Sequence, residues 1–195
     1  MGQPQRSHVE LDDYLAIEKQ DDVRYEYYDG VLYAMAGGTI NHTLICGNAY
    51  SALRGAAKRG GTCVPFTSEM KVEVKLDGQY VYPDAGLACP KIVESERLTG
   101  AVVNPCVIVE VTSEDSGDYD RGGKMTHYFS VPSVQEYVLI SQEKFEVFVF
   151  RRRNDLMRID NYVDPNAVIP IECTHETIRL SELYENVEFI KAAKK

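Results

Sequence analysis

Two carboxylates stand where a chain normally places apolar side chains. In YPDAGLAC, Asp84 follows Pro83 at the head of an apolar run, and in PCVIVEVTS, Glu110 interrupts a string of valines and isoleucine. A buried carboxylate costs several kcal/mol unless a cation, a metal or hydrogen-bond donors meet it. A period of two along CVIVEVTS puts Ile108, Glu110 and Thr112 on one face and Val107, Val109 and Val111 on the other. Glu110 therefore faces away from the valine stripe. If the Asp84 segment is its neighbour in a sheet, both carboxylates converge at one sheet edge. Two hard oxygen ligands, completed by water, suit Mg²⁺ or Mn²⁺. Such an ion polarises a phosphoryl oxygen and lowers the pKa of a bound water.

These acids need elements to hold them. SHVELDDYLAIEKQ places Ser7 three residues before Glu10, a capping-box spacing, and continues at helical period through Leu11, Tyr14 and Leu15. VRYEYYDGVLYAM alternates around Asp29-Gly30, which predicts a tight hairpin. INHTLICGNAYSALRGAAKRGG carries Leu44, Ile45, Ala49, Ala52 and Leu53 on one helical face and stops at Gly60-Gly61. Three strands are expected next, SEMKVEVKL, QYVYPDAGLAC and CVIVEVTS. A helix over DYDRGGKMTHYFS, weakened by Gly122-Gly123, ends before Pro132. EYVLIS and KFEVFVFRRR form a further strand pair, and two short strands and a turn of helix capped at Ser181 close the chain. Helix, three strands, helix and strand make an α/β (α+β) pattern, a central mixed sheet flanked by helices. The N-terminal helix and hairpin and the C-terminal strands decorate it. Residues 1–195 are expected to form a single domain with its core at about 40–152.

Composition narrows the function. Charged residues at 26% and hydrophobic ones at 44% exclude wholesale disorder. A net charge of −9 argues against holding a nucleic acid by bulk electrostatics and leaves that task to a local cleft. Five cysteines without a C-x-x-C pair predict reduced core thiols, no zinc site and a cytoplasmic protein. Arg6 stands where a myristoylation signal needs Ser or Thr, and no apolar stretch reaches membrane-spanning length. No membrane association is expected.

The blocks RYEYYDGVLYAMAGG, NHTLICGNAYSAL, SEMKV, YPDAGLAC, VIVEVTSEDSGDYDRGGKMTHYFSVPSVQEYVLIS and EVFVFRR, in this order, resemble the Uma-type restriction endonuclease family of the PD-(D/E)xK superfamily. The resemblance runs from about Val9 to Val187. It implies a restriction-endonuclease-like core and a divalent metal, Mg²⁺ or Mn²⁺, held by Asp84 and Glu110. It also implies catalytic hydrolysis of phosphodiester bonds, with DNA as the expected partner. The superfamily's lysine belongs two residues after the acid, where this chain has Thr112. Lys124 on the following helix is the expected substitute, Lys71 its competitor, and Glu69 a neighbouring acid. Glu26 joins the expected catalytic group, and His42 and Arg121 are assigned to nucleic-acid contact. A homodimer is expected, because one site per subunit cuts one strand and a twofold pair addresses both.

Plainer readings stand beside these. Asp84 could bond its own backbone in a turn after Pro83, Glu110 could pair with a buried arginine, and Lys124 could pair with Asp120 four residues earlier. Glu26 could bridge Arg24, and Arg151 to Arg153 could be a solvated strand end. A catalytically silent nucleic-acid-binding or oligomerisation module is the alternative to an enzyme, and Thr112 is the residue that favours it.

Overall fold

The computed structural model describes residues 4–19, 23–34, 38–75, 78–112, 120–154 and 156–189. β1 (Pro4–Arg6) and α1 (Leu11–Glu18) precede a hairpin of β2 (Tyr25–Tyr28) and β3 (Val31–Ala34). The hairpin turns on Asp29 and Gly30, both at positive φ (43° and 79°), which is what a two-residue type I′ loop demands. α2 (Ile40–Gly60) starts at Thr39, whose side chain accepts the His42 amide N–H, and ends on left-handed Gly61. There follow β4 (Val64–Thr67), β5 (Lys71–Lys75), β6 (Gln79–Val81), β7 (Ala85–Ala88), β8 (Ala101–Val102) and β9 (Pro105–Thr112). A π-helical turn, Asp120–Lys124, leads into α3 (Met125–Phe129). β10 (Glu136–Ser141), β11 (Val147–Arg153), β12 (Leu156–Tyr162) and β13 (Val168–Ile171) come next. A 3₁₀ turn (Glu172–Thr174), β14 (Glu176–Arg179) and α4 (Leu180–Leu183) complete the described chain.

Among the described residues, the strands form two six-stranded sheets, β1-β3-β2-β6-β5-β8 and β12-β11-β10-β9-β7-β4, and a β13-β14 pair. β9 and β10 run parallel; β7 is antiparallel to β9. The mixed α+β architecture with helix-flanked mixed sheets is the fold class expected above. α2 lays Ile45, Ala49, Leu53 and Ala56 against Val107, Val109 and Val111 on one face of the second sheet. The other face, with Ile108, Tyr137, Leu139 and Phe150, packs on Tyr128 of α3 and on Val72, Val74 and Val81 of the first sheet. Alternation along β9 thus turns its valines to α2 and sends Glu110 into the space between the two sheets.

Several local expectations are corrected. α1 begins at Leu11 with Glu10 at its N-cap and no side-chain cap, so Ser7 and Glu10 form no capping box. QYVYPDAGLAC is not one strand: β6 lies in the first sheet, β7 in the second, and Tyr82-Pro83-Asp84 crosses between them. Proline lacks the N–H that would continue the β6 ladder, which frees the chain to change sheets. SEMKVEVKL accordingly pairs with β6 and β8, and the strand that flanks β7 is β4, from VPFT, which the apolar pattern did not reveal. α4 starts at Leu180 with Arg179, not Ser181, at its N-cap. Leu76, placed on a strand above, lies outside the described residues.

The five thiols are not all reduced. Val64 pairs with Ala88, so the residues just beyond them, Cys63 and Cys89, face each other and form a disulfide. The arginines of β11 are not a solvated end either. Arg151 is 2% exposed and bonded to Glu136 and Asp160; Arg152 donates to the Val134 and Phe129 carbonyls, and Arg153 pairs with Glu172. Asp155 lies outside the described residues.

Candidate active site

The Glu110 carboxylate, 4% exposed, meets the Lys124 ammonium at 3.3 and 3.4 Å from its two oxygens. The Tyr128 hydroxyl donates to the same Oε1 at 2.8 Å. Both partners come from the π-helical turn and α3. The extra residue of a π turn widens the helix, and Lys124 and Tyr128, four residues apart, share a helical face toward Glu110. Burial, with Glu110 the first of its neighbouring charges, holds the Tyr128 phenol well above its ordinary pKa, so it is a fixed donor. Lys124 also lies 3.0 Å from Glu26 Oε1, delivered from β2 across the gap between the sheets. The Tyr82 amide N–H donates to that same Glu26 oxygen.

Asp84 completes the group from the crossing segment. Its amide N–H donates to the Val109 carbonyl, and its Oδ2 accepts the Val111 N–H at 2.7 Å, which anchors it directly beside β9. His42, in the first turn of α2, brings Nε2 to 3.4 Å from Asp84 Oδ1. Burial alone would raise the Asp84 pKa. The His42 hydrogen bond and charge, the Val111 N–H and the Lys124 charge outweigh it and hold the carboxyl below its ordinary value. The segment must be slim to seat here: a Cβ on Gly86 would meet Phe66 at 2.3 Å and the Val107 carbonyl oxygen at 2.8 Å.

The structure therefore gathers Glu26, Asp84, Glu110, Lys124 and His42 from β2, the crossing, β9, the π turn and α2. His42 lies against Asp84 rather than on an outer groove, and Cys46, one turn along α2, sits 3.4 Å from its Nδ1. Burial raises the Cys46 thiol pKa strongly, helped by the Asp84 charge, so the thiol stays protonated. Lys71 is in a neighbouring arrangement, 2.7 Å from Glu18 and over the Tyr82 ring. Glu69 is exposed and pairs with Arg24 at 2.9 Å, which leaves Glu26 to Lys124. The side chains of Asp120 and Arg121 lie outside the described residues. Sequence reasoning did not single out Tyr128, Cys46 or Glu18; only Tyr128 carried a signal, its i+4 spacing from Lys124.

Asp84, bonded to the β9 backbone, and Glu110, on β9 itself, bring two hard-oxygen side chains to one strand, the donor type that a divalent cation takes. The Uma2 family model, described as "Putative restriction endonuclease", matches residues 11–181. The chain belongs to the Uma2 family. It is 33% identical over 144 residues to the uncharacterized Synechocystis protein slr1290, covering 74% of each chain, and 29% identical over 145 residues to sll1609 of the same organism, covering 73% of this chain and 80% of the other. A crystal structure from Anabaena variabilis, named as a "putative nuclease belonging to DUF820", superposes with a TM-score of 0.73 over 91% of this chain and 98% of that one, at 18% identity. Family and fold support a nuclease, and restriction-endonuclease-like proteins generally use divalent metals. Among the described residues of this Uma2 chain, no helix is long and apolar enough to cross a membrane.

Proposed function

We propose that the chain is a divalent-metal-dependent endonuclease that hydrolyses phosphodiester bonds in DNA, acting as a cytoplasmic homodimer. The observation that carries this reading is the position of Lys124. Although Thr112 occupies the superfamily's lysine position, the Lys124 amine arrives from the next helix within 3.4 Å of both Glu110 oxygens and 3.0 Å of Glu26. Asp84 and Glu110 would hold Mg²⁺ or Mn²⁺, whose chemistry is to polarise the phosphate and acidify a water. Glu26 and Glu110 orient the Lys124 amine. Its charge stabilises the negative charge that builds on the phosphoryl oxygens. Tyr128 fixes the Glu110 rotamer, and His42 braces Asp84. A catalytically silent module would draw support from Thr112, but a lysine held among the acids argues for retained chemistry.

The test is cleavage of single- and double-stranded DNA and RNA with Mg²⁺ or Mn²⁺. Wild type is expected to cut DNA, and both Asp84→Ala and Glu110→Ala are expected to lose activity by about two to three orders of magnitude. Cutting that persists in chelator, or that both folded variants retain, overturns the proposal.

A further inference from the structure

Four of the five cysteines meet at the end of β9 remote from Glu110. Cys63 precedes β4, Cys89 follows β7, Cys106 is the second residue of β9, and Cys173 sits in the 3₁₀ turn after β13. The four sulfurs lie within 4.8 Å of one another. Cys106 Sγ is 2.9 Å from Cys89 and 3.1 Å from Cys173. Cys63 and Cys89 are joined in the disulfide. The intervals along the chain are 26, 17 and 67 residues, so no short zinc motif announces the group.

We infer that in the reduced chain Cys63, Cys89, Cys106 and Cys173 form a tetrathiolate site for one zinc ion. Zinc–sulfur bonds of about 2.3 Å place the sulfurs of a tetrahedron about 3.8 Å apart. The four sulfurs already lie within 4.8 Å of one another, so side-chain rotations that open the closest contacts bring them toward that value. Cys106 is buried and the other three are half-buried, a shell that screens the ion while leaving an entry path. The hydrogen bond from Cys106, then burial, pushes the Cys173 thiol pKa up. Two electrons and two protons from a dithiol reductant open the Cys63–Cys89 bond to two thiols. Zn²⁺ then displaces one proton from each of the four, leaving a site of net charge about −2.

The site is distinct from the carboxylates. Cys106 and Glu110 are four residues apart on one strand, about 13 Å at a strand's rise per residue. The ligand chemistries differ too: thiolates select zinc, whereas carboxylate oxygens suit Mg²⁺ and Mn²⁺. A bound ion would tie β4, β7 and β9, already paired in one sheet, to the segment after β13.

The experiment is metal analysis of protein purified in dithiol reductant without chelator. Wild type is expected to carry about one zinc per chain, and its cobalt-substituted form to show thiolate-to-cobalt charge-transfer bands. Cys106→Ser and Cys173→Ser should lose the zinc, while Cys46→Ser and Glu110→Ala retain it, which separates this site from the proposed nuclease centre. In the zinc-loaded native protein a thiol reagent should leave Cys63, Cys89, Cys106 and Cys173 unmodified until chelator exposes them. If either serine variant fails to fold, the wild-type stoichiometry and thiol protection still decide. A reduced wild type that takes up no zinc from excess, that leaves those four thiols reactive with zinc present, or that carries an iron–sulfur chromophore overturns the inference.

Discussion

β9 and β10 lie side by side and each buries a glutamate, yet the two sites are built in opposite ways. Glu136, fully buried at the start of β10, faces Arg151 across the β10–β11 ladder, with Nε at 2.9 Å, and its second oxygen accepts the Glu172 N–H. Arg151 has every arm engaged, the others on Asp160 and on the Pro170 carbonyl at 2.7 Å. Three acids there, Glu136, Asp160 and Glu172, meet three arginines, Arg151, Arg153 and Arg158. At Glu110, three carboxylates gather around Lys124 and His42, so even a protonated histidine leaves the group net negative among the described residues. Burial therefore does not by itself mark a functional charge. The sign of the remainder does, because a buried negative surplus favours the entry of another cation.

The comparison breaks first at Arg151. Arg151→Met should cost about 3–5 kcal/mol of stability in denaturant melts, since buried Glu136 is left without its counter-ion and Asp160 keeps only Arg158. Cleavage per folded molecule should stay within about twofold, because this group's ion pairs among the described residues run to Glu136, Asp160 and Glu172 rather than to Asp84 or Glu110. A marked loss of turnover in the folded variant would dissolve the distinction between the two clusters.

At the other cluster the losses should fall on turnover instead. Lys124→Ala is expected to lower it by about two orders of magnitude, the scale of one preorganised electrostatic donor, with divalent-ion binding by calorimetry retained. Lys71→Ala, whose amine is committed to Glu18, should change turnover less. Equal effects of the two substitutions would move the functional lysine away from Glu110.

The smallest effect sharpens the contrast in acid. The Asp84 pKa is depressed on folding, so its ionised form contributes stability that is fully present above the unfolded value of about 3.9 and is lost as pH falls through the folded value. Without metal, wild type should exceed Asp84→Asn by on the order of 1 kcal/mol near neutrality, and the gap should close as pH falls through the folded value. Chemical denaturation across that range checks it; a gap that grows in acid would reverse the sign.

Much of the frame was legible from local pattern. The Asp29-Gly30 hairpin, α2 with its glycine stop, and the inward and outward faces of β9 follow from turn chemistry and from periods of two and 3.6. The resemblance of the in-order blocks points to Asp84, Glu110 and Lys124. What the chain alone did not determine was partnership. An apolar run such as QYVYPDAGLAC reads as one strand because periodicity reports which face is buried and not which sheet buries it. The division at Tyr82-Pro83-Asp84 depends on which distant strands, β5 and β2 on one side and β4 and β9 on the other, compete for its hydrogen bonds. For the same reason the meeting of Glu26 with Lys124, of Arg151 with Glu136, and of four cysteines from separate elements was decided only in the tertiary structure. Each joins residues whose spacing carries no local signal, and long-range packing alone sets the register that brings them together.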